Sequence, residues 1–133
     1  MNTTGLITLQ SRHGSEVTMK RLKVEVKAKG MAVFARINHA AGSSVFGWTL
    51  RPTDLLVFGA VKRCNPLMQS VQTIGIDMPC KALVWQDHTG ATWLSYNDPS
   101  WLAKRHGLGL GAEPTIKPIA SILEAIAAAA TAS

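Results

Sequence analysis

Residues 82–96 carry the tightest constraint on what this chain can fold into. Two strand-like runs, Ala82 to Gln86 and Thr92 to Tyr96, flank Asp87-His88-Thr89-Gly90. So short a connection joins neighbouring strands only in the antiparallel sense, since a parallel crossover takes a dozen residues or more. The rest of the chain extends this hairpin. Leu6 to Gln10 alternates as a first strand. Ser15 to Lys29 is charged, places Met19, Leu22 and Val26 at helical spacing and ends before Gly30. Met31 to Asn38 sets Val33, Ala35 and Ile37 on one side and Phe34, Arg36 and Asn38 on the other. Leu55 to Phe58 is a continuous apolar run, as in a strand covered on both faces.

Between these runs, His39 to Gly47 is rich in small residues and reads as a loop. Asn65-Pro66 reads as a helix cap followed by a first-turn proline, with Leu67, Met68 and Val71 buried. Residues 74–80 read as a connector, and Asp98-Pro99 repeats the cap-and-proline device before a helix ending near Gly107. Leu108 to Pro114 is glycine-rich and reads as a linker. Beyond it Ile119, Ile122, Leu123 and Ile126 mark a last amphipathic helix, which packs either on its own domain or on a partner subunit. The order β, α, β, β, α, β, β, α, α lacks the regular alternation of a doubly wound parallel sheet. It predicts an α+β fold, a largely antiparallel sheet of about five strands with helices on one face. Residues 1–107 form the domain, and residues 108–133 the linker and terminal helix.

Length and composition narrow the function classes. A chain of 133 residues suits one domain with a proper core. Its 47% hydrophobic and 17% charged residues exclude a disordered chain, and no apolar run reaches the roughly 18 residues of a membrane span. The start lacks a secretory signal, so a soluble, cytoplasmic protein is expected. Lys and Arg outnumber Asp and Glu by 14 to 8, which favours anionic partners. Seven of those bases lie between Arg12 and Arg36 with only Glu16 and Glu25 among them. That stretch is read as a solvated helix face before a nucleic-acid footprint, because it lacks interleaved aromatics. The histidines at 13, 39, 88 and 106 are scattered singly and the two cysteines form no Cys-x-x-Cys, so no metal and no cofactor is expected.

Several stretches, taken in order, carry a resemblance. They are Phe34-Ala-Arg-Ile-Asn-His-Ala-Ala-Gly42, Asp54-Leu-Leu-Val-Phe-Gly59, Pro66-Leu-Met-Gln69, Gly75-Ile-Asp-Met-Pro79 and Trp93-Leu-Ser-Tyr-Asn-Asp-Pro99. Together the set resembles the domain-of-unknown-function 302 family over roughly residues 6–107. The resemblance implies a small bacterial or archaeal α+β domain, similar to the TATA-binding-protein-like or helix-grip superfold and commonly a homodimer, and it implies no established activity. The chain departs from the family pattern at Asn38, where an acid is usual, at Cys64-Asn65, where Gly-Thr is usual, and at Ala60-Val61, where Asn-Pro is usual.

Three sets of residues are candidates for chemistry. Arg36, Asn38 and His39 end a strand. There Arg36 either holds an anion or pairs with a carboxylate such as Asp54 or Asp77, and His39 either transfers protons or caps backbone. Cys64 follows Lys62 and Arg63 just before an expected helix N-terminus, conditions that favour a thiolate, whereas Cys80 reads as a small buried hydrophobe. The tryptophans either line a cavity or fill the core. The leading expectation is a homodimeric binding or accessory domain holding a small anionic or amphipathic ligand between sheet and helices. Arg36, His39 and Tyr96 supply its polar contacts, and Trp85 and Trp93 its walls. The alternatives are a small enzyme with His39 as acid or base and Arg36 as oxyanion or carboxylate holder, and a nucleic-acid binder using the basic first helix.

Overall fold

The computed structural model describes residues 3–78 and 80–133; Met1, Asn2 and Pro79, the last of which closes one of the quoted stretches, lie outside the described residues. One five-stranded antiparallel sheet runs in the order β1-β5-β4-β3-β2. Its strands are β1 (Leu6–Gln10), β2 (Ala32–Asn38), β3 (Thr53–Gly59), β4 (Cys80–Gln86) and β5 (Thr92–Asn97). The hairpin 82–96 forms its centre, with Trp85 opposite Trp93 and Val84 opposite Leu94. This is the α+β architecture expected from the order of elements.

Helices α1 (Ser15–Ala28), α3 (Val61–Ser70), α4 (Pro99–Arg105) and α5 (Glu113–Thr131) supply the helical layer. The core lies between that layer and the sheet: Met19, Leu22 and Val26 of α1 and Ile119, Leu123 and Ile126 of α5 meet Leu56, Phe58, Val84 and Leu94. Arg21 of α1 donates to the carbonyls of Ala129 (2.7 Å) and Ala130 (3.3 Å), placing a cation at the α5 C-terminus, where the helix dipole favours it. One member of the basic stretch thus serves the fold. The terminal helix lies on its own chain, against α1 and α4. Among the described residues no helix is long and apolar enough to cross a membrane.

Four local expectations are corrected. His39–Val45 is a helix, α2, rather than a loop: Asn38 Oδ1 accepts from the Ala41 N–H at 3.0 Å, and Gly47, at φ 78°, closes the other end. There the Gly47 and Trp48 N–H groups donate to the carbonyls of Ser44 and Ser43, the double bond of a Schellman cap. Helix α3 starts at Val61, so Asn65-Pro66 is internal rather than a cap. Its first turn hangs on the Ala60 carbonyl, and Cys64 and Leu67, one turn apart, are its buried anchors. Strand β2 carries a bulge between Val33 and Ala35, which shifts the alternation by one residue. Val33 therefore lies over Phe58 on the helix side, while Ala35 and Ile37 face the other way. The glycine-rich stretch 108–114 is tied down, with the Leu108 N–H on the Ala103 carbonyl, and α5 begins at Glu113.

Candidate functional site

Because helices cover only one face of the sheet, the other face is a surface of its own. Register assigns its rows: Ile37, Leu55, Leu83, Ser95 and Thr8 run across the middle, flanked by Ala35, Val57, Lys81, Asn97 and Leu6 on one side and Thr53, Trp85, Trp93 and Gln10 on the other. A groove of about 300 Å³ opens here between Leu6, Leu55, Lys81, Leu83, Trp85 and Ser95. Its walls are apolar and Lys81 is its cation, and among the described residues Lys81 makes no ion pair. Side-chain hydrogen bonds order the rest. The Trp85 indole donates to Ser95 Oγ at 2.9 Å, and Ser95 Oγ lies 2.8 Å from Thr8 Oγ1. Trp93 stacks beside Trp85 with ring centroids 6.2 Å apart and donates to Asp87 Oδ2 at 2.8 Å. Asp87 also accepts from the Thr89 hydroxyl and from the Thr89 and Ala91 N–H groups. These bonds, the Thr89 hydroxyl first and the Trp93 indole next, hold its carboxyl far below the usual carboxylate range.

The expected site residues do not converge. Trp85 and Trp93 sit together on the uncovered face. Tyr96 borders the groove, but its residue is 5% exposed and lies on the helix side, where burial, then the charges of Glu124 and Asp98, raise its pKa. Arg36 is on the edge strand and gives its Nε and Nη2 to Asp54 Oδ2 at 2.8 and 2.5 Å, bonds that raise the guanidinium pKa further. With Ser15, Glu16, Asn38 and Asp54 it lines a separate polar recess of about 210 Å³. Arg36 is thus neutralised by Asp54 and faces a second acid, Glu16. Asp54 Oδ1, in contrast, is buried with no donor among the described residues. His39 is exposed at the first position of α2 and makes no side-chain hydrogen bond among the described residues.

Between sheet and helices, where a ligand was expected, two small openings, beside Cys64 and Cys80 and beside Leu102, hold about 10 Å³ each, room for a single water at most, and an open groove of about 260 Å³ lies between Phe34 and Val57 of the sheet and Val61, Cys64 and Met68 of α3. Lys81, Leu83 and Ser95 escaped the sequence reading, although the alternation Lys81-Ala-Leu-Val-Trp85 already aligns Lys81, Leu83 and Trp85 on one face. Cys64 is one turn inside α3 and buried. It meets Cys80, a pairing no spacing rule announces. A second apolar surface is the tip after α2. There Val45, Phe46 and Trp48 are 79%, 73% and 68% exposed, and Phe46 leans on Trp48 with centroids 5.7 Å apart.

Two proteins named Fluoride-specific ion channel FluC 1, from Brucella suis biovar 1 (strain 1330) and Brucella abortus biovar 1 (strain 9-941), are each 46% identical to the chain over 113 residues. The aligned part is 85% of this chain but 44% and 42% of those proteins, so the chain spans less than half of their length. A solved structure described as an uncharacterized conserved protein DUF302 from Bacillus stearothermophilus shares the fold. Its TM-score is 0.83 over 94% of this chain and 97% of that one, at 19% identity. A family model described as domain of unknown function DUF302 matches residues 7–126, nearly all of the sheet and its helical layer, and the chain belongs to that family.

Proposed function

We propose that this domain is a homodimeric binding module that holds a small amphipathic anion on the uncovered face of its sheet. The observation that carries the reading is the groove beside Lys81: an ammonium with no ion pair among the described residues, set among Leu6, Leu55, Leu83 and Trp85, suits a ligand with one carboxylate and an apolar body. The alternative place, the recess at Arg36, is less suited to an anion because Asp54 and Glu16 offset its one cation. The apolar row Ile37, Leu55, Leu83 supports the dimer. Apolar rows of this kind can pack sheet against sheet, and a two-fold pairing makes the same row meet itself. In the longer Brucella relatives, we infer, the shared segment stands outside the pore, since among the described residues here no helix is both long and apolar enough to cross a membrane. The domain then acts as an accessory to whatever accompanies it.

The test is titration with decanoate, followed by tryptophan fluorescence, alongside decanol as the uncharged control. Trp85 lines the groove, so saturable change with decanoate is expected, weakened at least tenfold in Lys81→Met. An absent response, or one equal for decanol and unaltered in Lys81→Met, rejects the anion site. Light scattering on Ile37→Lys, in the same row but outside the groove, should give half the mass of the wild-type protein, and a monomeric wild type would remove the dimer.

A further inference from the structure

The protein's two cysteines come from separate elements and end side by side. Cys64 is one turn into α3, and Cys80 opens β4 on the helix side, opposite Phe58. Both line the same small cavity beneath Ile119, Ile122 and Leu123 of α5, with Arg63 at its rim. Both are free thiols. On its other side Cys64 borders an open groove of about 260 Å³, shared with Phe34, Val57, Val61 and Met68, so its sulfur is next to a path from solvent although the residue is 3% exposed.

We infer that Cys64 and Cys80 are a site of reversible oxidation by small peroxides, with Cys64 as the attacking thiol and Cys80 as the resolving one. The assignment of roles starts from access, since Cys64 and not Cys80 lines the open groove. Contact with the Cys80 thiol supports it, outweighing burial and drawing the Cys64 pKa down to about 7. The same contact, together with burial and the charge on Cys64, pushes the Cys80 thiol well up, so that it keeps its proton. A thiolate attacks and a thiol waits.

The chemistry balances as two steps. The Cys64 thiolate attacks one oxygen of the peroxide and the O–O bond breaks. The sulfur becomes a sulfenic acid, while the peroxide is reduced and its other oxygen leaves as alcohol or water after taking a proton. The Cys80 sulfur then displaces hydroxide from the Cys64 sulfenic acid. The S–S bond forms as the S–O bond breaks, and the proton lost from Cys80 leaves with the hydroxide as water. Two electrons have passed from the dithiol to the peroxide. A thiol reductant reverses the change by exchange. The product ties the first turns of α3 to the head of β4 and alters the groove that Cys64 shares with Met68.

The test treats the folded, full-length protein with stoichiometric hydrogen peroxide, then unfolds and alkylates it with iodoacetamide. Intact mass should show a monomeric chain that has lost two hydrogens and takes up no label, and prior dithiothreitol should restore two labels. In Cys80→Ser the reaction should stop at the sulfenic acid, so dimedone labelling rises at least fivefold over wild type. Cys64→Ser should lose peroxide reactivity at the other cysteine. Two labels on the peroxide-treated wild type, or disulfides only between chains, would overturn the proposal without recourse to either variant. Equal dimedone labelling of both variants would overturn the roles.

Discussion

Ser95 is where the architecture of the uncovered face can be measured. Its hydroxyl accepts the Trp85 indole N–H at 2.9 Å and meets Thr8 Oγ1 at 2.8 Å, so one residue of β5 links β4 on one side and β1 on the other. Ser95→Ala removes both bonds and takes from the Trp85 indole its one side-chain acceptor among the described residues. A net hydrogen bond contributes about 0.5–1.5 kcal/mol, and an orphaned buried donor costs about 1–3 kcal/mol. Ser95 is 4% exposed but Trp85 is only half-buried, so water meets the indole's demand and the cost is that of the two lost bonds, roughly 1–3 kcal/mol. The Trp85 share is isolated by a double-mutant cycle with Trp85→Phe, which deletes the donor and keeps an aromatic ring. In that background Ser95→Ala should cost about 1 kcal/mol less. Urea unfolding followed by far-ultraviolet circular dichroism, at one protein concentration for all four proteins, provides the values. Additivity within about 0.3 kcal/mol would refute the argument, since the two side chains would then be shown not to act on each other.

Acid should loosen the turn between β4 and β5. The Asp87 carboxyl is held below its unfolded value of about 3.9, so its stabilisation is complete above that pH and is lost as pH falls toward the folded-state value. The melting temperature of Asp87→Asn should therefore fall less between about pH 4 and pH 2 than that of the wild type. Asn38→Ala removes a cap of about 1 kcal/mol from a helix that buries none of its residues. Hydrogen exchange at Ser43 to Gly47 should quicken about fivefold while the melting temperature stays fixed. Gly5→Ala should cost roughly 2–4 kcal/mol of stability in urea unfolding, because a β-carbon there lies 2.6 Å from Trp101 Cγ and the backbone has φ 78°.

Fold class was legible because the hairpin and the periodic runs are local signals. What eluded the sequence depended on partners far along the chain or on a single backbone irregularity. Alternation in Met31 to Asn38 is real, yet one bulge moves Ile37 from the core side to the open side, and no residue type marks it. Asn65-Pro66 has the chemistry of a helix start, but burial of Cys64 and Leu67 favours one more turn ahead of it, and packing prevails over capping. The small residues after Asn38 looked like a loop although Asn38 and Gly47 bracket them as caps. A helix without a buried side leaves no apolar stripe to read. Trp85 and Trp93, expected as walls of one site, sit side by side, and Arg36 takes Asp54, one of its two expected partners. The separation of Tyr96 from the tryptophans follows from strand parity, which counting along β4 and β5 would have shown.

The joining of the chain's two ends has a consequence for how the domain comes into being. Strand β1 has no sheet partner until β5 exists, with Leu6 opposite Asn97, and the Arg12 N–H is met by the carbonyl of Thr131. During synthesis the first strand must therefore wait for almost the whole domain to leave the ribosome before it docks. The hairpin of β4 and β5 can form early from neighbours, whereas the closing of β1 carries the entropy of a loop that spans nearly all of these residues. Folding is thus expected to be a single late event rather than a stepwise one. Until then the apolar strands of the centre are exposed together, which makes the interval before the last helix appears the period in which this protein is most open to aggregation.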